Sequence, residues 1–388
     1  MALGQTAMRT PATPAGGPVK VMVVDDSMVI RGLLTRALEA DAGIKVVASA
    51  GNGKVALDTL AKTDIDVIVL DIEMPIMDGM TALPQLIAAK PYVQIIMAST
   101  LTLKGASISM KALSMGAADY VPKPTSTSEI HGAEDFKSEL ISKVKSWGAV
   151  SRRRRGPAGS AAGATAPSAN GAASAASPRK LYTQAEIKLR PAGIGKPECL
   201  VIGSSTGGPQ ALFKVFQMLG GVPNLPVFVT QHMPATFTTI LAEHLAGASR
   251  MPAAEAKDGE PVTSGRIYVA PGDFHMTVAV ESNRKILRIN KNPPENFCRP
   301  AVDPMLRSIA KVYGGKVLFV MLTGMGQDGL KGARELTDAG GTVIAQDEGT
   351  SVVWGMPGAV ATAGLCSAVL PLSDIAPCIR KFISGTGI

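Results

Sequence analysis

CLVIGSSTGGPQALFKVFQML, residues 199–219, reads as three structural pieces in a row. Cys199 to Ile202 is an apolar run of strand length, Gly203-Ser204-Ser205-Thr206-Gly207 is a tight turn, and Leu212, Val215, Phe216 and Leu219 recur at the spacing of one helical face. Pro209 suits the first turn of that helix, where a missing N–H costs nothing. A strand that feeds a helix through so short a turn belongs to an α/β sheet with parallel strands and right-handed crossovers. The turn also matches G-x-S-x-G, a spacing that exposes a serine hydroxyl on a strand-to-helix bend beside free backbone N–H groups. Ser205 is the candidate nucleophile. Glycine-rich turns that open helices also bind phosphate or simply turn, so a base and an acid have to be found elsewhere in the chain.

Working outward, the chain has four histidines, His131, His232, His244 and His275. His232 directly follows the strand pattern PVFVTQ and so sits at a carboxyl strand end, where a doubly wound sheet carries its chemistry. His275, after APGDF near a turn, is the second choice of base; His244 lies in the helical run FTTILAEHLA, and His131 in the tail of the preceding module. The orienting acid is Asp328, in the glycine-rich loop that follows an apolar strand expected from Lys316 to Thr323. Nucleophile, base and the carboxylate that fixes the imidazole tautomer then emerge at strand ends facing one crevice. Their chain order, Ser, His, Asp, differs from the Ser, Asp, His order of α/β-hydrolases and argues against that fold.

The amino-terminal part shows the same alternation. KVMVV (20–24), IKVVAS (44–49), DVIVL (66–70), QIIMAS (94–99) and ADYV (118–121) are strand patterns separated by helical ones, a (βα)5 arrangement, with Ser27 placed to cap the first helix. Its strand ends carry Asp25 and Asp26, Asp71, Ser99 and Lys123. Three carboxylates together repel one another and call for a divalent cation, and an all-oxygen set suits Mg2+. Asp71 is then placed to attack a phosphoryl donor, with the Ser99 hydroxyl and Lys123 holding the incoming oxygens.

Length and composition fit two such modules. At the usual 100–200 residues per domain, 388 residues make about two, and 46% hydrophobic with 4% aromatic residues suits Val/Ile/Leu/Ala-based α/β folds. Residues 141–195, rich in Ala, Gly, Ser and Pro, read as a flexible tether between a domain at 19–140 and one at 196–388, with 1–18 a disordered tail. The net charge of +8 sits largely in Arg152 to Arg155, Arg179 and Lys180; without those six it is +2, which excludes a broadly basic nucleic-acid-binding surface. Cys199, Cys298, Cys366 and Cys378 are too scattered for a zinc site or a disulfide framework, so free thiols are expected. No apolar run approaches the roughly 20 residues of a membrane span, and no secretory signal core is visible, so a cytoplasmic chain is expected.

The strings VVDDS, LDIEMPIMDGM, MAST and YVPKP, in that order, resemble the receiver domain of two-component response regulators. That resemblance implies a flavodoxin-like fold with Asp71 as phospho-acceptor, Asp25, Asp26, Asp71 and the Glu73 carbonyl at the Mg2+ site, Ser99 as switch hydroxyl, Lys123 on the phosphate, and a cis peptide at Lys123–Pro124. GSSTGGP, TQHMPATFT, APGDFHM, RPAVD, LTGMGQDG and VVWGMP resemble the catalytic domain of the chemotaxis protein-glutamate methylesterases. The implied activity is hydrolysis of glutamate methyl esters, and of certain glutamines, on methyl-accepting chemoreceptors. It uses Ser205, His232 and Asp328, with Thr206 and Met325 at the oxyanion site and no cofactor for hydrolysis. The implied phosphodonor is a chemotaxis histidine kinase, and the implied regulation is a cleft covered by the unphosphorylated receiver. This chain departs from the family in having Cys298 where His usually precedes the Arg-Pro pair, and Gln327 where Asn is usual. A receiver with a DNA-binding output has only the arginine run in its favour, and nearly 190 residues with at least five strand patterns exceed a helix-turn-helix segment. A scaffold with an inactive hydrolase site is the other alternative.

Overall fold

The computed structural model describes residues 17–100, 102–123, 134–156, 187–221 and 224–386, which form two compact units. In the first, short β-branched runs make the strands β1 (Val19–Val24), β2 (Ile44–Ala50), β3 (Val67–Asp71), β4 (Gln94–Ser99) and β5 (Asp119–Pro122). Between them in the chain come α1 (Met28–Glu39), α2 (Gly53–Lys62), α3 (Gly79–Ala89) and α4 (Leu103–Ser114), residues 102–110 of the last grouping with the second unit. The strands pair in parallel in the order β2-β1-β3-β4-β5. This is the expected (βα)5 sheet, and its order reverses between β1 and β3, the strands that deliver Asp25 and Asp71. Ser27 caps α1 as expected, accepting from the Ile30 N–H at 3.4 Å.

A fifth helix, α5 (Glu134–Arg155), corrects the expected start of the tether at residue 141. It buries Leu140, Val144 and Trp147, and the Trp147 indole donates to Asp119 at 3.1 Å. Two residues of the arginine run are structural. Arg152 donates to the carbonyls of Gly17 and Pro18 and to Asp66, while Arg155 pairs with Asp64 and Asp66 and lies over the Tyr92 ring. Asp66 is almost fully buried, so removing its partners leaves a buried charge unpaired. The other expected boundary of the tether moves too: Arg190 N–H donates to the Cys366 carbonyl and Gly193 N–H to the Thr342 hydroxyl, so residues 187–195 belong with the second unit. Of the expected tail at 1–18, residues 17 and 18 are held by Arg152, while 1–16, the 157–186 part of the tether and Pro124 with its expected cis bond lie outside the described residues.

The second unit contains β6 (Cys199–Ser204), α6 (Gly208–Leu219), β7 (Val227–Gln231), α7 (Phe237–Ser249), β8 (Ala253–Glu255), β9 (Ile267–Val269), the hairpin β10 (His275–Glu281) and β11 (Arg284–Asn290), and α8 (Val302–Tyr313). It continues with β12 (Val317–Met321), α9 (Leu330–Asp338), β13 (Thr342–Gln346), α10 (Met356–Thr362), β14 (Ala368–Leu370) and α11 (Leu372–Ser384). Seven parallel strands run in the order β14-β13-β12-β6-β7-β9-β8. The doubly wound sheet is as expected, although β12 ends at Met321, short of Thr323, because the Thr323 N–H turns to the Gln346 side chain. Cys199, Val201, Phe228, Tyr268, Phe319 and Met321 are fully buried, and at about 1.5–3 kcal/mol for each large apolar side chain they make the sheet a rigid platform. The chain leaves β6 toward β7 and later returns to β12 on the other side, so the switch point lies at β6. No helix among the described residues is long and apolar enough to cross a membrane.

Candidate functional site

Ser205, His232 and Asp328 all lie at the carboxyl ends of strands around that switch point. Ser204 is paired with Gln231 across β6 and β7, so Ser205 and His232 are the next residue on each neighbouring strand. The His232 N–H donates to the Ser204 carbonyl at 3.1 Å. The Gln231 carboxamide, buried, donates to the carbonyls of both Ser205 (2.9 Å) and His232 (3.0 Å) and so fixes the two backbones against each other. The Ser205 N–H is held by the Thr323 carbonyl at 3.0 Å. Gly207 closes the turn at φ 74°, in the left-handed region, and a Cβ there would also strike the Val352 side chain at 2.5 Å. Gly324 gives Ser205 room: a Cβ at that position would lie 2.4 Å from Met356 Sδ and 2.9 Å from Ser205 Cβ.

The imidazole of His232 has both nitrogens engaged. Nε2 is 2.7 Å from Asp328 Oδ2, and Nδ1 is 3.3 Å from Cys298 Sγ. Asp328 thus holds Nε2, and Cys298 stands at Nδ1. Asp328 is 1% exposed yet fully satisfied: Oδ2 also accepts from the Val302 N–H (2.6 Å), and Oδ1 accepts from Asp303 N–H, Gly329 N–H and the Asn296 amide. Two of those donors are the first N–H groups of α8, whose helix dipole favours a negative charge at this end. Burial works against the Asp328 charge, but His232 and these N–H groups outweigh it and hold the carboxyl below the usual range. Burial likewise works against the His232 charge, and the bonds to Asp328 and Cys298 reverse that, raising it to about 10. Neighbouring Asp303 is pushed up, chiefly by burial, with the Asp328 charge adding to it.

His232 is the candidate base, and a base acts unprotonated, so for that candidate the sign of this shift sets the pH profile. The acid limb of kcat/KM is expected above the ordinary histidine range, with hydrolysis still rising well past pH 7. Cys298→Ala removes one of the bonds that raise His232 and is expected to move the limb to lower pH. A limb at the ordinary histidine value of about 6.5 in the unsubstituted protein would contradict the pairing seen here.

Two of the other histidines have structural roles. His275 is 1% exposed, with Nε2 against the Pro293 carbonyl and Nδ1 accepting from the Ala301 N–H, so both nitrogens serve the fold. His244 lies on α7 with its ring 5.8 Å from that of Phe213, and burial lowers its pKa. His131 lies outside the described residues. Thr206 is buried in the turn after Ser205, its carbonyl accepting from the Thr323 hydroxyl, and Met325 is 46% exposed on the loop before Asp328. Beside that loop lies a cavity of ≈ 540 Å³ lined by Asn296, Phe297, Gln327 and Trp354 over a glycine floor. Asn296, which bonds both Asp303 and Asp328, and Gln231 are functional contacts that sequence reasoning missed.

In the first unit, carboxylate oxygens of Asp25, Asp26 and Asp71 lie within 4.8 Å of one another. Lys123 Nζ sits 2.7 Å from Asp25 Oδ2 and 2.8 Å from Asp71 Oδ2. Asp25 Oδ2 is buried, with the Lys123 ammonium as its partner. The donor set is all oxygen, and Mg2+ fits it. Burial, and after it the Asp25 charge, raises Asp71 against the pull of Lys123; Lys123 itself is raised, its two carboxylate partners outweighing burial. Ser99 is 2% exposed at the end of β4 and its carbonyl accepts from the Lys123 N–H at 2.6 Å. Glu73 is exposed two residues beyond Asp71.

Comparison with known proteins places the two units by family. Residues 200–379 match the CheB methylesterase family, and residues 21–134 match the response regulator receiver domain. A protein-glutamate methylesterase/protein-glutamine glutaminase of Azospirillum brasilense is 60% identical over 96% of this chain and 95% of its own length. The chain belongs to the CheB methylesterase family. Another member, from Paramagnetospirillum magneticum, is 56% identical over 95% of this chain and 97% of that one. The crystal structure of the Thermotoga maritima CheB methylesterase catalytic domain is 42% identical and covers 49% of this chain and 99% of that chain, with a TM-score of 0.46. The α/β architecture and the pairing of a receiver with a methylesterase domain, both expected from the sequence, are those of this CheB family.

Proposed function

We propose that this chain hydrolyses γ-methyl glutamate esters on chemoreceptors by acyl transfer through Ser205, under control of phosphorylation at Asp71. The observation that carries the reading is the His232–Asp328 pair at 2.7 Å, set beside Ser205 by the Gln231 bridge. Ser205 Oγ attacks the ester carbonyl while its proton passes to Nδ1 of His232, and Asp328 stabilises the imidazolium through Nε2. The N–H groups of Thr206 and Met325 receive the oxyanion. The intermediate collapses, methoxide takes the proton from Nδ1 and leaves as methanol, and water then releases the glutamate by the same route. A glutamine side chain follows the same path with ammonia as leaving group.

On the receiver, Asp71 accepts a phosphoryl group from a histidine kinase, Lys123 and Ser99 meet its oxygens, and the new charge alters the Ser99 region. Mg2+ held by Asp25, Asp26, Asp71 and the Glu73 carbonyl supplies the neutralising charge when bound. The proposed place of action is the cytoplasm, with the membrane reached only through the receptor substrate.

The test is methanol release from membranes bearing methylated receptor, with Mg2+ and with or without a small acyl-phosphate donor. The donor is expected to raise the rate about tenfold in the unsubstituted protein, which takes only ~1.4 kcal/mol of altered equilibrium, and not in Asp71→Asn. Methanol no faster than the enzyme-free blank would end the esterase reading. A donor effect that survives Asp71→Asn would end the regulatory one.

A further inference from the structure

Cys298 is presented to His232 by a built piece of structure. Glu295 and Cys298 exchange two backbone hydrogen bonds, of 3.1 and 2.9 Å, around Asn296 (φ 52°) and Phe297 (φ 63°), both in the left-handed region. That is a tight primed turn, and the Glu295–Arg307 ion pair anchors it to α8. The turn grips the His–Asp pair at both ends: Asn296 donates to Asp328 Oδ1 at 2.9 Å, and Cys298 Sγ lies 3.3 Å from His232 Nδ1. A sulfur, an imidazole and a buried carboxylate in that order form the same relay as serine, histidine and aspartate, with a better nucleophile at its head. Cys298 is partly exposed, whereas Cys199, Cys366 and Cys378 are buried, with burial raising each of their thiols.

We infer that Cys298 is a thiol modification site built on the catalytic base, and that its oxidation by a hydroperoxide reversibly stops ester hydrolysis. The inference rests on the reading of His232 as the base. His232 Nδ1 takes the thiol proton, giving the thiolate, which is the reactive form. The thiolate sulfur attacks one peroxide oxygen, the S–O bond forms and the O–O bond breaks. The departing hydroxide takes the proton from Nδ1 and leaves as water. Sulfur loses two electrons to the peroxide and becomes a sulfenic acid, which an added thiol reduces back to Cys298 with release of water and a disulfide. The sulfenic acid stands against the one nitrogen that Ser205 needs.

The experiment maps alkylation by iodoacetamide at all four cysteines, then measures peroxide inhibition. In the native protein Cys298 is expected to be labelled first, and at least about tenfold faster than the same cysteine in the urea-unfolded chain at the same pH. His232→Gln is expected to remove that advantage. Hydrogen peroxide is expected to cut methanol release to about a tenth of the untreated rate, with a dimedone adduct on Cys298 and recovery in dithiothreitol. Cys298→Ser, compared with its own untreated rate, is expected to be insensitive. Native labelling no faster than in the unfolded chain, or equal peroxide inhibition in Cys298→Ser, would overturn the inference. The labelling requires no ester substrate, so a failure of the esterase reading and a failure of this one are separately visible.

Discussion

Ser205→Ala is expected to lower methanol release from methylated receptor by about a thousandfold or more, roughly 4 kcal/mol of transition-state stabilisation, while leaving the fold as it is. The two halves of that expectation come from different atoms. The bonds that hold residue 205 in place are backbone bonds: its N–H to Thr323, and its carbonyl from Gly208 N–H and Gln231 Nε2. Alanine keeps all three, so stability is expected to stay within about 0.5 kcal/mol. Only the hydroxyl that starts the acyl transfer is lost. Methanol release within a few-fold of the unsubstituted rate, in protein with an unchanged melting curve, would remove Ser205 from the mechanism.

Asp328→Asn is expected to do two kinds of damage, separable in one variant. Its carboxylate accepts five hydrogen bonds on two oxygens, from His232, Val302, Asp303, Gly329 and Asn296. A carboxamide has one accepting oxygen, so an NH2 must face N–H donors whichever way it is turned. If it faces His232 and Val302, Nε2 must accept, the imidazole proton moves to Nδ1, and the nitrogen meant for the Ser205 proton is already filled. A rate loss of about 10³–10⁴ is expected from that wrong tautomer. The unmatched α8 N–H groups are expected to cost about 1–3 kcal/mol in urea unfolding. Loss of stability with full activity would mean that Asp328 only closes the helix end; loss of activity without loss of stability would mean that the amide finds partners not seen here.

Much of the architecture was legible because the strands are fully buried and therefore written as runs of Val and Ile, with the chemistry one or two residues beyond each run. The helix α5 escaped notice for a physical reason. Its buried positions, Leu140, Val144 and Trp147, are interrupted by Lys143, which is itself buried and paired with Asp119, and its last turn is held by Asp64 and Asp66, some 90 residues away in sequence. No local pattern announces such a partnership. The candidate catalytic positions follow the carboxyl ends of strands and could be found by their place; Asn296 and Cys298 come from a tight turn with no periodicity, and only the folded chain brings them to His232 and Asp328. The departure at Cys298 was visible as an odd residue in a known string, without any sign of what the sulfur touches.

The arginines of α5 grip Gly17, Pro18 and Asp66, at the amino ends of β1 and β3, whereas Asp25 and Asp71 occupy the carboxyl ends of the same strands. Five residues of strand separate the two poles, about 16 Å. The chain thus departs from the receiver at the pole remote from phosphorylation. It enters the other unit in the same manner, fastened at Thr342 and Cys366 where β13 and β14 begin. Neither candidate site is fastened to the segments through which the chain leaves the first unit and enters the second, so a pull on either segment meets the far end of a buried strand first.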